Sequence, residues 1–305
     1  MIIRVLGSAA GGGLPQANCN CRNCADVRAG KPGLVARTQS SLAVSPDGRR
    51  WVLLNSSPDL RQQIEATPEL APRKDEGPRS SPIAAVVLTN ADVDHVAGLL
   101  SLREGLRFDL YASDRVLAVL AANPIFDVLD ARRVRRMPLP LGEGAEVVAG
   151  LRIEAFAVPG KVALYMEDAA AGPSLGTQAG DTLGLKVSDA TGGSAFFYVP
   201  GCAALDAGLA ARLRGAALVL FDGTLYTDDE MIAQGLSDKT GARMGHMPMA
   251  GANGSMAAFA ALGVQRRIYV HLNNSNPALR EDGPERARVE RGGWEVAFDG
   301  MEIAL

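Results

Sequence analysis

The chain has 305 residues, 47 % of them hydrophobic and 5 % aromatic, with a formal net charge of −3. That balance is globular rather than disordered, and it gives no electrostatic reason to bind a nucleic-acid backbone. No stretch approaches the roughly 18 uninterrupted apolar residues that span a bilayer, so membrane insertion is not expected.

Residues 2–6 read as a first strand. The opening MIIRVLG is too short for a secretory apolar core and lacks a cleavage site, which makes the cytoplasm the expected compartment. The stretch 7–13 (GSAAGGG) has no following Gly-Lys-Ser/Thr, so it is no phosphate loop; its glycines let the backbone turn tightly beside a pocket. Next comes PQANCNCRNC, in which Cys19, Cys21 and Cys24 form C-x-C-x-x-C and the fourth cysteine, Cys202, lies far away. Clustered thiols in an intracellular chain argue for metal over disulfides. Three thiolates can converge on one ion at about 2.3 Å from each sulfur, so residues 15–26 are expected to be a structural zinc knuckle. A closed site needs a fourth ligand; Asn274, a nearby backbone oxygen or water are the candidates, and Cys202 need not be the partner.

Further strands are expected at 51–54, 83–88, 108–112, 151–158, 182–187, 195–199, 217–221 and 267–272. Many are continuous apolar runs, as in sheets covered on both faces. Helical patterns fall at 58–64, 95–103 and 249–262. The stretch 67–82, with its prolines and RKDE run, reads as an exposed loop insertion, and the Ala/Gly-rich 167–180 reads as a flap over a pocket. Residues 294–298 and 301–305 are expected to form a hairpin around Asp299-Gly300. With no long linker and no repeat at a fixed period, residues 1–305 are expected to form one α/β (α+β) domain, two packed mixed sheets flanked by helices.

The loop between strand 83–88 and the helix after it (LTNADVDHVAGLL) carries Asn90, Asp92, Asp94 and His95. It resembles the H-x-H-x-D-H signature of the metallo-β-lactamase superfamily, with Asn90 and Asp92 in place of the first two histidines. The resemblance implies that His271, capping strand 267–272, joins the Asp94–His95 pair. VPGK at 158–161 and YVPGC at 198–202 lack the expected middle ligands, so the usual two-zinc hydrolytic site looks dismantled. What remains, Asp94, His95 and His271, is one carboxylate and two imidazoles, a set that suits non-haem ferrous iron and O2. His246 is expected to face the pocket as an acid/base or substrate-contacting group, a turn histidine bonded to backbone being the alternative reading, with Asp92 orienting a ligand imidazole or extending the coordination sphere. Cys202 is a further candidate to line the cavity.

The segments 7–24, 37–44 (RTQSSLAV), 55–64 (NSSPDLRQQI), 88–105, 198–203 (YVPGCA), 221–225 (FDGTL), 244–251 (MGHMPMAG) and 270–277 (VHLNNSNP) together resemble the pyrroloquinoline quinone (PQQ) biosynthesis protein B family. The resemblance implies a metallo-β-lactamase-like αββα sandwich, one zinc on the cysteines, and a part in making PQQ from a glutamate–tyrosine-derived small molecule. Iron- and O2-dependent hydroxylation of the tyrosine ring is the expected activity. Carriage or export of PQQ or its precursor is the alternative, and metal-dependent hydrolysis a third. Arg37, Arg61 and Arg103 are candidates to pair with substrate carboxylates, though surface or structural roles are the plainer reading. A homodimer is left open.

Overall fold

The protein is described by a computed structural model that covers residues 1–166 and 178–305. Its strands are β1 (Ile2–Gly7), β2 (Ser41–Ser45), β3 (Trp51–Leu54), β4 (Ile83–Val87), β5 (Phe108–Ala112), β6 (Val134–Pro138), β7 (Gly144–Val148), β8 (Leu151–Ala157), β9 (Leu183–Asp189), β10 (Ala195–Val199), β11 (Leu218–Asp222), β12 (Arg266–Val270), β13 (Glu295–Val296) and β14 (Glu302–Ala304). The helices are α1 (Arg22–Arg28), α2 (Leu60–Ala66), α3 (Val93–Val96), α4 (Asp114–Ala122), α5 (Ala207–Leu213), α6 (Glu230–Ala233), α7 (Gly241–Met244), α8 (Ser255–Ala258) and α9 (Pro284–Arg291).

Two seven-stranded mixed sheets run β14-β1-β2-β3-β4-β5-β6 and β13-β12-β11-β10-β9-β8-β7. In the first, β3 to β6 are parallel; in the second, β10 to β13 are parallel. Side chains alternate between two dry layers. Leu42, Leu54 and Val87 face Ile153, Leu185 and Leu220 between the sheets. Their neighbours Ala43, Leu53 and Val86 pack under Leu60 of α2 and Val116 of α4. Val219 and Phe221 pack on the other side with Leu209 of α5 and Val289 of α9. Strands with both faces buried have no polar alternation, which is why their sequences are continuous apolar runs. The expected αββα sandwich is therefore the observed one.

Three strands carry no such run. β2 is bracketed by serines. β6 (VRRMP) and β7 lie at the sheet edges, where charge and proline keep an open edge from pairing with another chain. Helices α1, α4, α5, α6, α7 and α9 also lay outside the expected set.

Three expectations need correction. The C-terminal hairpin does not exist: β13 pairs parallel with β12, whereas β14 pairs antiparallel with β1 in the other sheet. Asp299-Gly300 does form a turn, closed by Met301 N on the Phe298 carbonyl at 3.1 Å with Gly300 left-handed (φ 87°), but the turn serves a crossover between sheets. The Asp299 carboxylate accepts from Ser8 N and Oγ at 2.9 and 2.8 Å and from Thr38 N and Oγ1 at 2.6 and 2.7 Å. Residues 249–262 are α-helical only over α8, because Met249 N and Ala250 N bond the carbonyls of Leu225 and Tyr226 at 2.9 Å and Gly251 turns left-handed (φ 91°). Residues 95–103 divide into α3 and a tighter turn at Ala97–Leu102, where Gly98 lets the Ser56–Ser57 backbone approach; a Cβ there would collide with the Ser57 carbonyl.

The stretch 67–82 is mostly exposed, with Leu70 its buried anchor. Most of the expected flap, residues 167–177, lies outside the described residues. Among the described residues, no helix is long and apolar enough to cross a membrane.

Asp299→Ala deletes an acceptor of four hydrogen bonds that bind the crossover to the loops after β1 and before β2. We expect the free energy of unfolding to drop by about 2–4 kcal/mol, measured by urea denaturation, with the slope unchanged.

Candidate metal centre

Parallel strands deliver their C-terminal ends to one side of a sheet, and the groups that follow them meet there. Here those ends line a cleft of about 450 Å³. Asn90, Asp92, Asp94 and His95 come from the loop after β4 and from α3. Thr224 follows β11, His271 follows β12, and Gly11 follows β1. Lys161, Lys239, Met231, Met244 and His246 complete the walls. The sequence reading had left both lysines aside.

Asp94 Oδ2 lies 3.0 Å from His271 Nε2 and 3.8 Å from His95 Nε2. The outer ring nitrogens fix the tautomers. His95 Nδ1 meets Asn90 Oδ1 at 2.7 Å; that oxygen can only accept, so Nδ1 carries the proton. His95 Nε2 is then an unprotonated lone pair, buried and without a hydrogen-bond partner. Thr224 Oγ1 has one proton, which it gives to Asp222 Oδ1 at 2.7 Å. It therefore accepts from His271 Nδ1 at 2.8 Å, which leaves Nε2 of a neutral His271 bare toward Asp94. Two lone pairs and a carboxylate facing one point repel unless a cation is shared among them. The three ligand atoms lie within 4.8 Å of one another.

The titration directions fit an ionised Asp94 and a neutral His95, and they favour a proton on His271 Nε2, shared with Asp94, where no metal supplies the positive charge. Burial opposes the charge on Asp94, yet His95 and His271 hold its carboxyl far below the usual range. Burial lowers His95 to about 4, against the pull of Asp94. Burial also opposes charge on His271, but Asp94 raises it above the ordinary value.

Asp222 was missed as a site residue. Fully buried at the end of β11, it spends all its acceptor capacity: Oδ1 takes Thr224 N and Oγ1, and Oδ2 takes Cys202 N at 2.8 Å and His246 Nδ1 at 2.7 Å. Burial would raise its pKa, but His246 holds it low. With Nδ1 so engaged, His246 keeps Nε2 for the cleft, and its ring stacks on His271 with centroids 5.4 Å apart. A polar residue ending an apolar strand before glycine (LVLFDG) was the available signal. Asn90 was read only as a lost histidine; it is the group that sets His95, and Asp92 lines the cleft beside it. Cys202 is fully buried in the apolar layer behind the second sheet, and Gly201 is the residue of that turn that faces the cleft.

Cys19, Cys21 and Cys24 also converge within 4.8 Å. Cys24 sits in the first turn of α1, so the segment is less irregular than its sequence implies. The end of the Asn274 amide lies 3.1, 3.5 and 3.2 Å from the three sulfurs. A 180° turn of that amide puts its oxygen there instead. Burial pushes Cys21 up to about 11. For Cys19 burial also opposes ionisation, but bonds from Cys21 and Asn274 outweigh it and lower the thiol.

The three arginines lie elsewhere. Arg37 is buried, bonding Ser8 Oγ at 3.0 Å and the Ala297 carbonyl. Arg61 pairs with Glu65, and Arg103 with Glu104.

In metal-free protein His95 stays neutral where an unfolded chain would charge it. Its contribution to stability is full above its ordinary pKa near 6.5 and declines as pH falls toward about 4. The difference in urea midpoint between wild type and His95→Gln is therefore expected to shrink over that window and to be flat above pH 7.

Known proteins resemble this chain closely. The β-lactamase superfamily domain matches residues 50–272. The chain is 52 % identical over 305 residues to coenzyme PQQ synthesis protein B of Methylorubrum populi, covering all of both chains. It is 53 % identical over 307 residues to the protein of that name from Xanthomonas euvesicatoria, again over all of both. The solved structure of zinc-bound PqqB from Methylobacterium extorquens superposes with a TM-score of 0.94 at 51 % identity, covering all of both chains. A diphosphatase of the PhnP family, at 20 % identity and a TM-score of 0.68 over 100 % of this chain and 97 % of its own, shares the fold.

Proposed function

This chain belongs to the coenzyme PQQ synthesis protein B family of the β-lactamase superfamily, and from that membership we propose that it acts in PQQ biosynthesis as an iron-dependent hydroxylase of the tyrosine ring of a glutamate–tyrosine-derived precursor. The observation that carries the reading is the buried, unpartnered His95 Nε2 turned toward Asp94 and His271. These are two imidazoles and one carboxylate, the donor set of ferrous oxygenases. The hydrolytic alternative lacks its ligands, since Asn90 and Asp92 stand at the first two histidine positions.

Asp94, His95 and His271 would hold a ferrous ion, which would supply O2 activation. Insertion of one oxygen atom into an aryl C–H bond, with the other leaving as water, takes two electrons and two protons from an external reductant. The chain's own part is to position and to move protons. Asn90 and Thr224 hold the two imidazoles in the tautomers that present Nε2. Asp222 keeps the His246 Nδ1–H in place, so that Nε2 can take the phenol proton and a resulting imidazolium is stabilised. Met231 and Met244 offer an apolar, polarisable wall for the ring. Lys161 and Lys239 are placed to meet substrate carboxylates.

We assign a structural zinc to Cys19, Cys21 and Cys24, with the Asn274 amide as fourth donor. Three thiolates and one amide oxygen satisfy tetrahedral coordination, and the relative from Methylobacterium extorquens is a zinc-bound protein.

Ferrous protein given the precursor and a reductant is expected to consume O2. Asp94→Ala and His271→Ala should abolish uptake, and His246→Ala should lower kcat about 100-fold or more while iron content stays. Tight PQQ binding unaffected by Asp94→Ala and His271→Ala, with no O2 uptake in the wild type, would establish a carrier instead. Cys24→Ser is expected to remove one zinc per chain, read by metal analysis.

A further inference from the structure

The cysteine knuckle and the cleft share one loop, which begins at the residue most in need of support. His271 adopts a left-handed backbone (φ 58°), a conformation costing a residue with a Cβ on the order of 1–2 kcal/mol. It persists only where the surroundings over-determine it. On one side, Leu272 N bonds Ser8 O at 2.9 Å and Leu272 O accepts from Ala10 N at 2.8 Å. On another, Asn273 N bonds Thr224 O at 3.0 Å and Asn276 Nδ2 bonds Gly223 O at 2.9 Å. The third side is the knuckle. Asn23, between Cys21 and Cys24 in sequence, donates through Nδ2 to the carbonyls of both Asn274 and Asn276, at 3.0 and 2.9 Å. Asn274 returns its amide to the three sulfurs. Asn23, Asn274 and Asn276 are all nearly fully buried, so water cannot replace these bonds cheaply.

We infer that Asn23 and Asn274 are positioning residues for His271: through them the knuckle fixes the loop that keeps His271 Nε2 on Asp94. The inference rests on the metal-centre reading above. It gives the knuckle a task in the chemistry of the cleft, three residues along the chain from the ligand it steadies. Asn23 coordinates nothing itself. Its two donated bonds clamp the loop from Asn274 to Asn276, while Asn274 converts occupancy of the knuckle into a fixed position for the same backbone.

Asn23→Ala tests this, because it leaves Cys19, Cys21, Cys24 and Asn274 in place. Zinc-loaded protein is titrated with Co²⁺ and uptake by the cleft is followed by visible absorption, with Asp94→Ala as the blank. Asn23→Ala is expected to keep one zinc per chain yet bind cleft Co²⁺ roughly tenfold or more weakly, the usual size of an indirect effect on a metal ligand. Leu70→Ala, remote from both sites, should lower Tm without changing Co²⁺ affinity, which separates positioning from general destabilisation. Should Asn23→Ala not fold, Asn23→Ser, which keeps one donor, is expected to show a smaller loss in the same direction. Co²⁺ affinity within twofold of wild type in the folded variant overturns the inference and leaves the metal-centre reading standing. No Co²⁺ uptake by the wild-type cleft overturns both.

Discussion

A carboxylate with two imidazole nitrogens turned toward it, at 3.0 and 3.8 Å, is the constraint from which the rest of this protein's organisation follows. Hydrogen bonds on the far side of each ring orient Nε2 of both imidazoles toward the carboxylate at the wall of the cleft. Such an arrangement is costly unless a positive charge is shared within it. Asn90 and Thr224 are therefore as much a part of the site as the groups they orient. Replacing either would let a ring reverse its tautomer and offer N–H where a cation needs a lone pair.

The fold makes this arrangement available. The cleft is lined from the ends of a few parallel strands: Asn90, Asp92, Asp94 and His95 follow β4, Thr224 follows β11 and His271 follows β12. The cost is borne by the backbone at His271, which turns left-handed at the end of β12. Asp222 joins the second sheet's contributions into one network, bonding the Thr224 turn, the Cys202 backbone and His246 together. The cleft is thus assembled from side chains whose orientations depend on one another, and the proposed acid/base group is anchored to the same carboxylate that orders the ligand side.

Fold similarity and site chemistry separate cleanly here. The diphosphatase of the PhnP family shares the architecture, but a shared scaffold does not transfer a reaction. The loop that resembles the superfamily signature has Asn90 and Asp92 where that signature has its first two histidines. Asn90 bonds His95 Nδ1, a supporting role rather than a ligating one, and the single-ion centre proposed above draws on that support.

The sequence by itself determined the layer architecture, because strands buried on both faces must be written as continuous apolar runs, and it picked out Cys19, Cys21, Cys24, Asp94, His95 and His271, because clustered thiols and strand-end imidazoles are unusual residues in recognisable places. It did not reveal edge strands β6 and β7, whose charges answer to solvent rather than to a core. Nor did it reveal the crossover at Asp299, since a turn-forming pair reads the same whether the chain folds back on its neighbour or leaves for the other sheet. Only the tertiary structure decided that Asp222 anchors His246, that Asn90 holds His95 and that Cys202 belongs to the core. Asp222 meets Cys202 and His246 over separations of 20 and 24 residues, a range on which local pattern carries no information, whereas Asn90 and His95 share one loop and the sequence left open only which way the ring turns.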